Sequence, residues 1–183
     1  MMGAYLTGYA IYIATAARGT SRPNIATWGI FSFLAFVNAF SYFELSSRDV
    51  WLSLLPLTGG GFSIATFFLI ARRGTYSTPT RREGWVIALG IAALCALRFF
   101  QDAATANFLV QVAYILAFLP TLTGVHRDPK REHLWPWFFW LWAAVCWVAL
   151  VFRREFHPVA CMGPLQMFAM NLWMFSAVGR RAG

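Results

Sequence analysis

Seven apolar runs take up most of this chain of 183 residues, at 4–17, 25–43, 50–71, 84–100, 106–125, 134–152 and 159–178. The charged residues fall mainly in the gaps between them. A bilayer core of ~30 Å takes ~20 helical residues, with ~17 tolerable, so most of the runs span it readily and the first and fourth are the short ones. A water-soluble domain devotes about a quarter of its residues to charge. Here charged residues make up 12% and apolar residues 59%. The runs read as seven transmembrane helices of an all-α membrane protein, numbered one to seven below. No basic leader precedes the first run, which reads as a retained helix and not as a cleaved signal.

The formal charge of +8 raises the question of nucleic acid, and the placement of the basic residues answers it. Linkers after helices one, three and five, with the C-terminus, hold eleven: Arg18, Arg22, Arg72, Arg73, Arg81, Arg82, Arg127, Lys130, Arg131, Arg180 and Arg181. The opposite side holds four: Arg48, Arg98, Arg153 and Arg154. Such an imbalance sets membrane orientation. It predicts an inner (cell) membrane protein with the N-terminus outside and the C-terminus cytoplasmic, and excludes nucleic acid as a partner.

A duplication runs through the chain. Pro56-Leu57, Phe67 and Arg72-Arg73 recur 108 residues later as Pro164-Leu165, Phe175 and Arg180-Arg181. Upstream the offset drifts, with Trp28 opposite Trp135 at 107 and Thr15 and Pro23 opposite Thr121 and Pro129 at 106. A three-helix unit ends on the opposite side of the membrane from its start, so a second copy keeps its orientation only if one helix intervenes. Run 84–100 has no counterpart in either half and supplies that helix. The expected organisation is 3+1+3: a first three-helix bundle at 1–73, a cytoplasmic loop and linker helix at 74–102, and a second bundle at 103–183.

In this organisation the chain resembles the SWEET and PQ-loop superfamily, whose full-length members join two parallel three-helix bundles through an inverting helix. Pro120-Thr121 stands where that family has its Pro-Gln motif, and Ala14-Thr15 is the equivalent pair in helix one; both halves lack the Gln. Ser63 and Asn171, equivalent at offset 108, fall mid-helix in helices three and seven, where sugar-transporting members are similar in placing paired substrate-binding Asn residues. The PnuC-type vitamin transporters resemble the same architecture. The resemblance implies a transporter of a small solute with a central site.

Polar side chains mark the interior. Asn107, Gln111, Tyr114, Phe118 and Thr121 share one face of helix five, and at offset 106 the last four map onto Tyr5, Gly8, Tyr12 and Thr15 of helix one. Polar groups facing hydrocarbon cost free energy, so both stripes should face neighbouring helices or a watery cavity. Helix two adds Asn38, Ser41 and Tyr42. Helix six aligns Trp137, Trp140, Ala144 and Trp147, of which Trp135 and Trp137 read as interfacial and Trp140 and Trp147 as cavity walls. The expected substrate-binding set is Ser63, Asn171, Gln111, Tyr114, Asn38, Tyr12, Trp140 and Trp147, with Gln166 on another side of helix seven. Pro56, Pro120 and Pro164, each breaking a helix bond, and Gly60 within Gly59-Gly60-Gly61 are candidate hinges.

Other chemistries find little footing. The only lysine, Lys130, lies in a linker, which excludes a retinal Schiff base in the last helix. His126 and His133 fall on one side and His157 on the other, so they build no shared metal site. Cys95, Cys146 and Cys161 lack a disulfide or zinc spacing and read as packing residues. Glu44, Asp49, Asp102 and Glu155 sit at outer ends and Glu83, Asp128 and Glu132 at inner ones, so no carboxylate is mid-helix. Ion coupling usually needs one there. Arg98 and Asp102, four apart, read as an interfacial pair. The expectation is a facilitator, not an enzyme, passing a small neutral or weakly charged solute such as a sugar, nucleoside or vitamin, without cofactor or metal. The alternative is a non-transporting receptor or assembly protein with a small-molecule pocket. Partners are the solute and the bilayer, and a homo-oligomer stays open.

Overall fold

A computed structural model describes residues 1–46, 48–73, 81–99, 101–154 and 158–180. Among them are seven α-helices: α1 (Met2–Arg18), α2 (Ile25–Leu45), α3 (Val50–Arg73), α4 (Arg81–Phe99), α5 (Ala103–Arg127), α6 (Leu134–Arg154) and α7 (Pro158–Gly179). A 3-10 turn (Pro129–Arg131) lies between α5 and α6. Glu155, His157 and Arg181 lie outside the described residues.

Each boundary has a local cause. Gly19 takes φ 75° and ends α1 with its N–H on Ala16 O and Thr15 O, the left-handed cap that glycine adopts without strain. Asn24 starts α2 by accepting from the N–H groups of Ala26 and Thr27 at 2.9 and 3.4 Å. Asp102 starts α5, accepting from Thr105 N at 2.9 Å and Thr105 Oγ1 at 2.6 Å. The expected Arg98–Asp102 pair is therefore corrected: the carboxylate serves the open N–H groups of the next helix. Among the described residues the ion pair is Arg48 with Glu44.

Among the described residues, four helical stretches are long and apolar enough to cross a membrane: Ile25–Leu45, Ser53–Arg72, Ala103–Arg127 and Leu134–Arg153. Helix α1, at 17 residues, falls outside that group, and α4 shows a shorter apolar stretch, Gly84–Ala93, among the described residues. Helix α7 falls outside it too, diluted by Gln166 and Asn171. The exterior is apolar, with Phe40, Trp51, Phe68, Trp85, Phe99 and Trp142 all more than half exposed, while Ser63, Thr66, Asn107 and Gln111 are buried. The buried core is mainly apolar with polar groups gathered within it, and large apolar side chains also cover the outside, a distribution that suits a hydrocarbon surround. The described residues are helical, and four of the helices have the length and composition of membrane spans.

Helix α2 packs along α3, α6 along α7, α4 along α5, α2 against α5, and α1 against α6, with α5 also touching α7 and α1 touching α3. Glycines permit the closest approaches. A Cβ on Gly8 would sit 2.5 Å from Trp140 Nε1, and one on Gly60 3.3 Å from the Ala35 Cβ. Gly60 is thus a packing position between α3 and α2. Pro56, Pro120 and Pro164 lie inside α3, α5 and α7, each of which continues through its proline.

Candidate functional site

A cavity of about 140 Å³ lies among α1, α2, α3, α5, α6 and α7, with no described residue of α4 in its wall. An apolar hole of ~150 Å³ takes a benzene-sized guest. All eight expected site residues, Ser63, Asn171, Gln111, Tyr114, Asn38, Tyr12, Trp140 and Trp147, line this one space. Pro56 lines it as well.

Tyrosine and tryptophan rings of α1, α2 and α6 make the wall. The Tyr9 ring centre lies 5.0 Å from that of Trp140, and Trp140 lies 5.1 Å from Trp137. Tyr9 also bonds Ser63 Oγ at 3.3 Å and donates to Gly59 O at 3.3 Å, joining α1 to α3. Gly59 leaves room for the Tyr5 hydroxyl, which a side chain there would displace. Tyr9 and Trp28 belong to the wall although the sequence reading assigned neither to it. Tyr9 follows Tyr5 by four and precedes Tyr12 by three, a spacing that would have placed all three on one face.

Trp137 needs correction. It is buried and lines the cavity, whereas Trp135, its expected partner at the interface, is 52% exposed. The cause is a change of register in the repeat. An offset of 109 puts Trp28, Phe31, Ala35 and Asn38 of α2 opposite Trp137, Trp140, Ala144 and Trp147 of α6. Matching Trp28 to Trp135 is two residues out, a rotation of about 200° at 100° per residue. With 106 for α1 and α5 and 108 for α3 and α7, wall positions then pair: Tyr5 with Gln111, Tyr12 with Phe118, Ser63 with Asn171. Ring contacts pair too. Tyr12 to Trp140 at 5.4 Å corresponds to Phe118 to Phe31 at 6.1 Å, and Tyr12 to Trp28 at 4.8 Å to Phe118 to Trp137 at 5.8 Å.

Hydrogen bonding divides the polar residues. Asn38 Oδ1 accepts from Gln111 Nε2 at 2.9 Å and from Asn107 Nδ2 at 3.1 Å, and Asn107 Nδ2 also reaches Ser41 Oγ at 3.2 Å. This part of the stripe ties α2 to α5. Asn171 Nδ2 donates to Met167 O within α7 at 2.7 Å. Against these satisfied groups, the indole N–H groups of Trp137, Trp140 and Trp147 and the Gln166 Oε1 are buried in the wall and close no hydrogen bond. Gln166 thus belongs to the cavity, contrary to expectation. It and Asn171, five residues apart, stand about 140° apart and form the two edges of one broad face of α7.

At the end of the cavity carrying the α1–α2 and α5–α6 linkers, Tyr12 donates to Glu132 Oε1 at 3.1 Å and accepts from Trp28 Nε1 at 3.2 Å. Glu132 is only 6% exposed, and its Oε2 closes no hydrogen bond. Burial lifts this carboxyl from an ordinary 4.5 to about 8, with Tyr12, Arg131 and Trp137 drawing it part of the way back. Position in sequence placed Glu132 at a helix end and gave no sign that it turns inward. Among the described residues no three His, Cys, Asp or Glu side chains gather as metal ligands. The site is equipped to hold a flat solute by ring contact and to offer it the N–H groups of Trp140 and Trp147 and the Gln166 Oε1, the Trp137 N–H being directed at Glu132. No family model, curated protein or solved structure matches the chain, so the walls of the cavity are the ground on which its function has to be argued.

Proposed function

We propose that the chain is a membrane facilitator of the SWEET and PQ-loop kind, carrying one small, flat, neutral or weakly charged solute by alternating access. In this reading residues 1–73 and 103–183 are parallel three-helix units joined by α4, with the N-terminus outside and the C-terminus cytoplasmic. One observation carries it: the cavity lies between the two repeats and takes its walls from equivalent positions of each. Contact partners exchange in the same way, since α1 on α6 becomes α5 on α2, α2 on α3 becomes α6 on α7, and α1 on α3 becomes α5 on α7. A site on a pseudo-two-fold axis can open to either side by rocking one unit on the other.

The unpaired Trp140 and Trp147 N–H groups favour a solute bearing hydrogen-bond acceptors, because a buried donor left unmade costs about 1 to 3 kcal/mol and a ligand can recover it. The test is a thermal-shift screen of single-ring sugars, nucleobases and vitamins on purified protein, followed by uptake of the hits into liposomes. Saturable uptake that stops at the outside concentration is expected. Binding without flux would make the protein a receptor, and chemical change of the hit would make it an enzyme. Tags at Met1 and Gly183, probed on intact cells, report the orientation.

A further inference from the structure

Groups drawn from both halves meet at one end of the cavity wall. Tyr12 of α1 bonds Glu132, from the linker before α6, and Trp28 of α2 bonds the same tyrosine oxygen. Beside them the two linkers are stitched together: Arg22 N donates to Arg131 O at 2.9 Å and Arg131 Nε donates to Arg22 O at 3.1 Å. Tyr12, Trp28 and Trp137 are also wall residues, so this cluster and the cavity share side chains. A path from the cavity between these linkers runs past the Tyr12–Glu132 bond. Parting them brings a buried carboxyl into water.

We infer that Glu132 and Tyr12 form a proton-controlled inner gate, shut while the Glu132 carboxyl holds a proton and released when it ionises. The inference rests on the carrier reading for what the gate admits, not for its existence. In the closed state one carboxyl oxygen takes the Tyr12 hydroxyl and the other, Oε2, closes no hydrogen bond. The groups that reach it are Tyr12 from α1, Arg131 from the 3-10 turn and the Trp137 indole from α6, whose N–H is directed at the carboxyl without reaching full hydrogen-bond geometry. Trp28 from α2 acts through Tyr12, and the Arg131 guanidinium is also packed over Gly124 of α5. The adjacent His133 has a buried Nδ1 without a partner. One positive group against a desolvated carboxyl does not keep it ionised, and burial leaves it half-protonated at about pH 8.

An opened, hydrated Glu132 returns toward an ordinary carboxylate. Between that range and about pH 8 the closed state binds more protons than the open one. Raising the pH therefore shifts the population toward open, by up to about tenfold per pH unit for one proton. The proton enters and leaves on the same side, so it sets the rate of passage without driving accumulation. Tyr12 is a positioning residue, holding the carboxyl in its dry site.

The gate can be read without any solute. In a background with Cys95, Cys146 and Cys161 replaced by Ala, a Thr121→Cys reporter in the cavity wall is labelled by a membrane-impermeant maleimide presented from the side of the α5–α6 linker, from pH 6 to 8.5. The same reporter with Glu132→Gln, which stays neutral, corrects for ionisation of the thiol itself. The wild-type rate relative to Glu132→Gln should climb at least tenfold across the series, and Tyr12→Phe should raise labelling already at pH 6. A flat ratio, or the same pH dependence in both proteins, would overturn the gate. Should the carrier reading fail through lack of flux, labelling still reports the gate. Should the gate fail, saturable uptake in liposomes still stands.

Discussion

Single residues decide what the cavity can hold and when it opens. Gln166 and Asn171 show how far one helix can be read from spacing: five residues apart they look divergent, yet a cavity wide enough to use about 140° of α7 takes both. Asn171→Ala and Gln166→Ala should each weaken a solute found by the uptake screen by about ten- to a hundredfold, the worth of a hydrogen bond in a partly dry site. Ser176→Ala, whose hydroxyl is spent on Leu172 O and which lies off the wall, should leave binding unchanged. Equal loss at all three positions, in titrations of folded protein, would remove the site from α7. Glu132 carries the pH dependence of stability. Its folded pKa of about 8 is raised above an unfolded 4.5, so its contribution is complete below about pH 4.5 and is lost as the pH rises toward 8. The loss is at most about 1.4 kcal/mol per pH unit. In detergent, Glu132→Gln should melt higher than the parent at pH 8.5 and close to it at pH 4.5; parallel melting curves across that range would show the carboxyl to be hydrated in the folded state. Nothing in the sequence marks this glutamate, because its burial comes from the meeting of two linkers 109 residues apart, Arg22 with Arg131.

At the scale of helices, the apolar runs and the polar stripe were readable because both follow from helical period and from the cost of showing polar groups to lipid. The stripe on α5 and its image on α1 fall where expected, Asn107 and Gln111 against α2 and Tyr12 in the wall. The α2 and α6 register was not readable. Trp28 and Trp135 match by identity, but one is buried at 6% exposure and the other lies at an exposed helix start where tryptophan suits an interface on its own account. Identity of residue type does not fix a face; two residues of error turn the helix more than halfway round. Asp102 teaches the same about charge. An i,i+4 partner in Arg98 competes with the unpaired N–H groups at the start of α5, and the N–H groups win because they sit closer and cannot find another acceptor within the helix. Asp102→Ala should lower the denaturant midpoint, and Arg98→Ala should leave it close to unchanged. A reversed order would restore the ion pair.

At the scale of the molecule, the seam between the proposed units is where movement has to happen. It is built from two kinds of contact. Rings slide, as Tyr12 against Trp140 and Phe118 against Phe31, whereas the amide network of Asn38, Asn107 and Gln111 gives directional bonds that must be remade or kept. The amides lie on α2 and α5 toward their far ends from the Glu132 gate, so a rocking motion that keeps them intact can still part Tyr12 from Glu132. Between the two, Thr121 Oγ1 donates to Thr27 Oγ1 at 3.4 Å, bridging α5 and α2. Two cysteines there should close a disulfide with little rearrangement, since a bridge tolerates only a narrow range of separations. In the cysteine-free background, oxidised Thr27→Cys with Thr121→Cys should stop uptake into liposomes and reduction should restore it, while solute binding to the locked protein persists. That pattern is what alternating access demands, because a fixed seam can hold a solute but cannot expose it on both sides. Undiminished uptake after complete oxidation, verified by loss of free thiol, would mean that the units do not move at this seam and that the solute passes by a route that leaves α2 and α5 together.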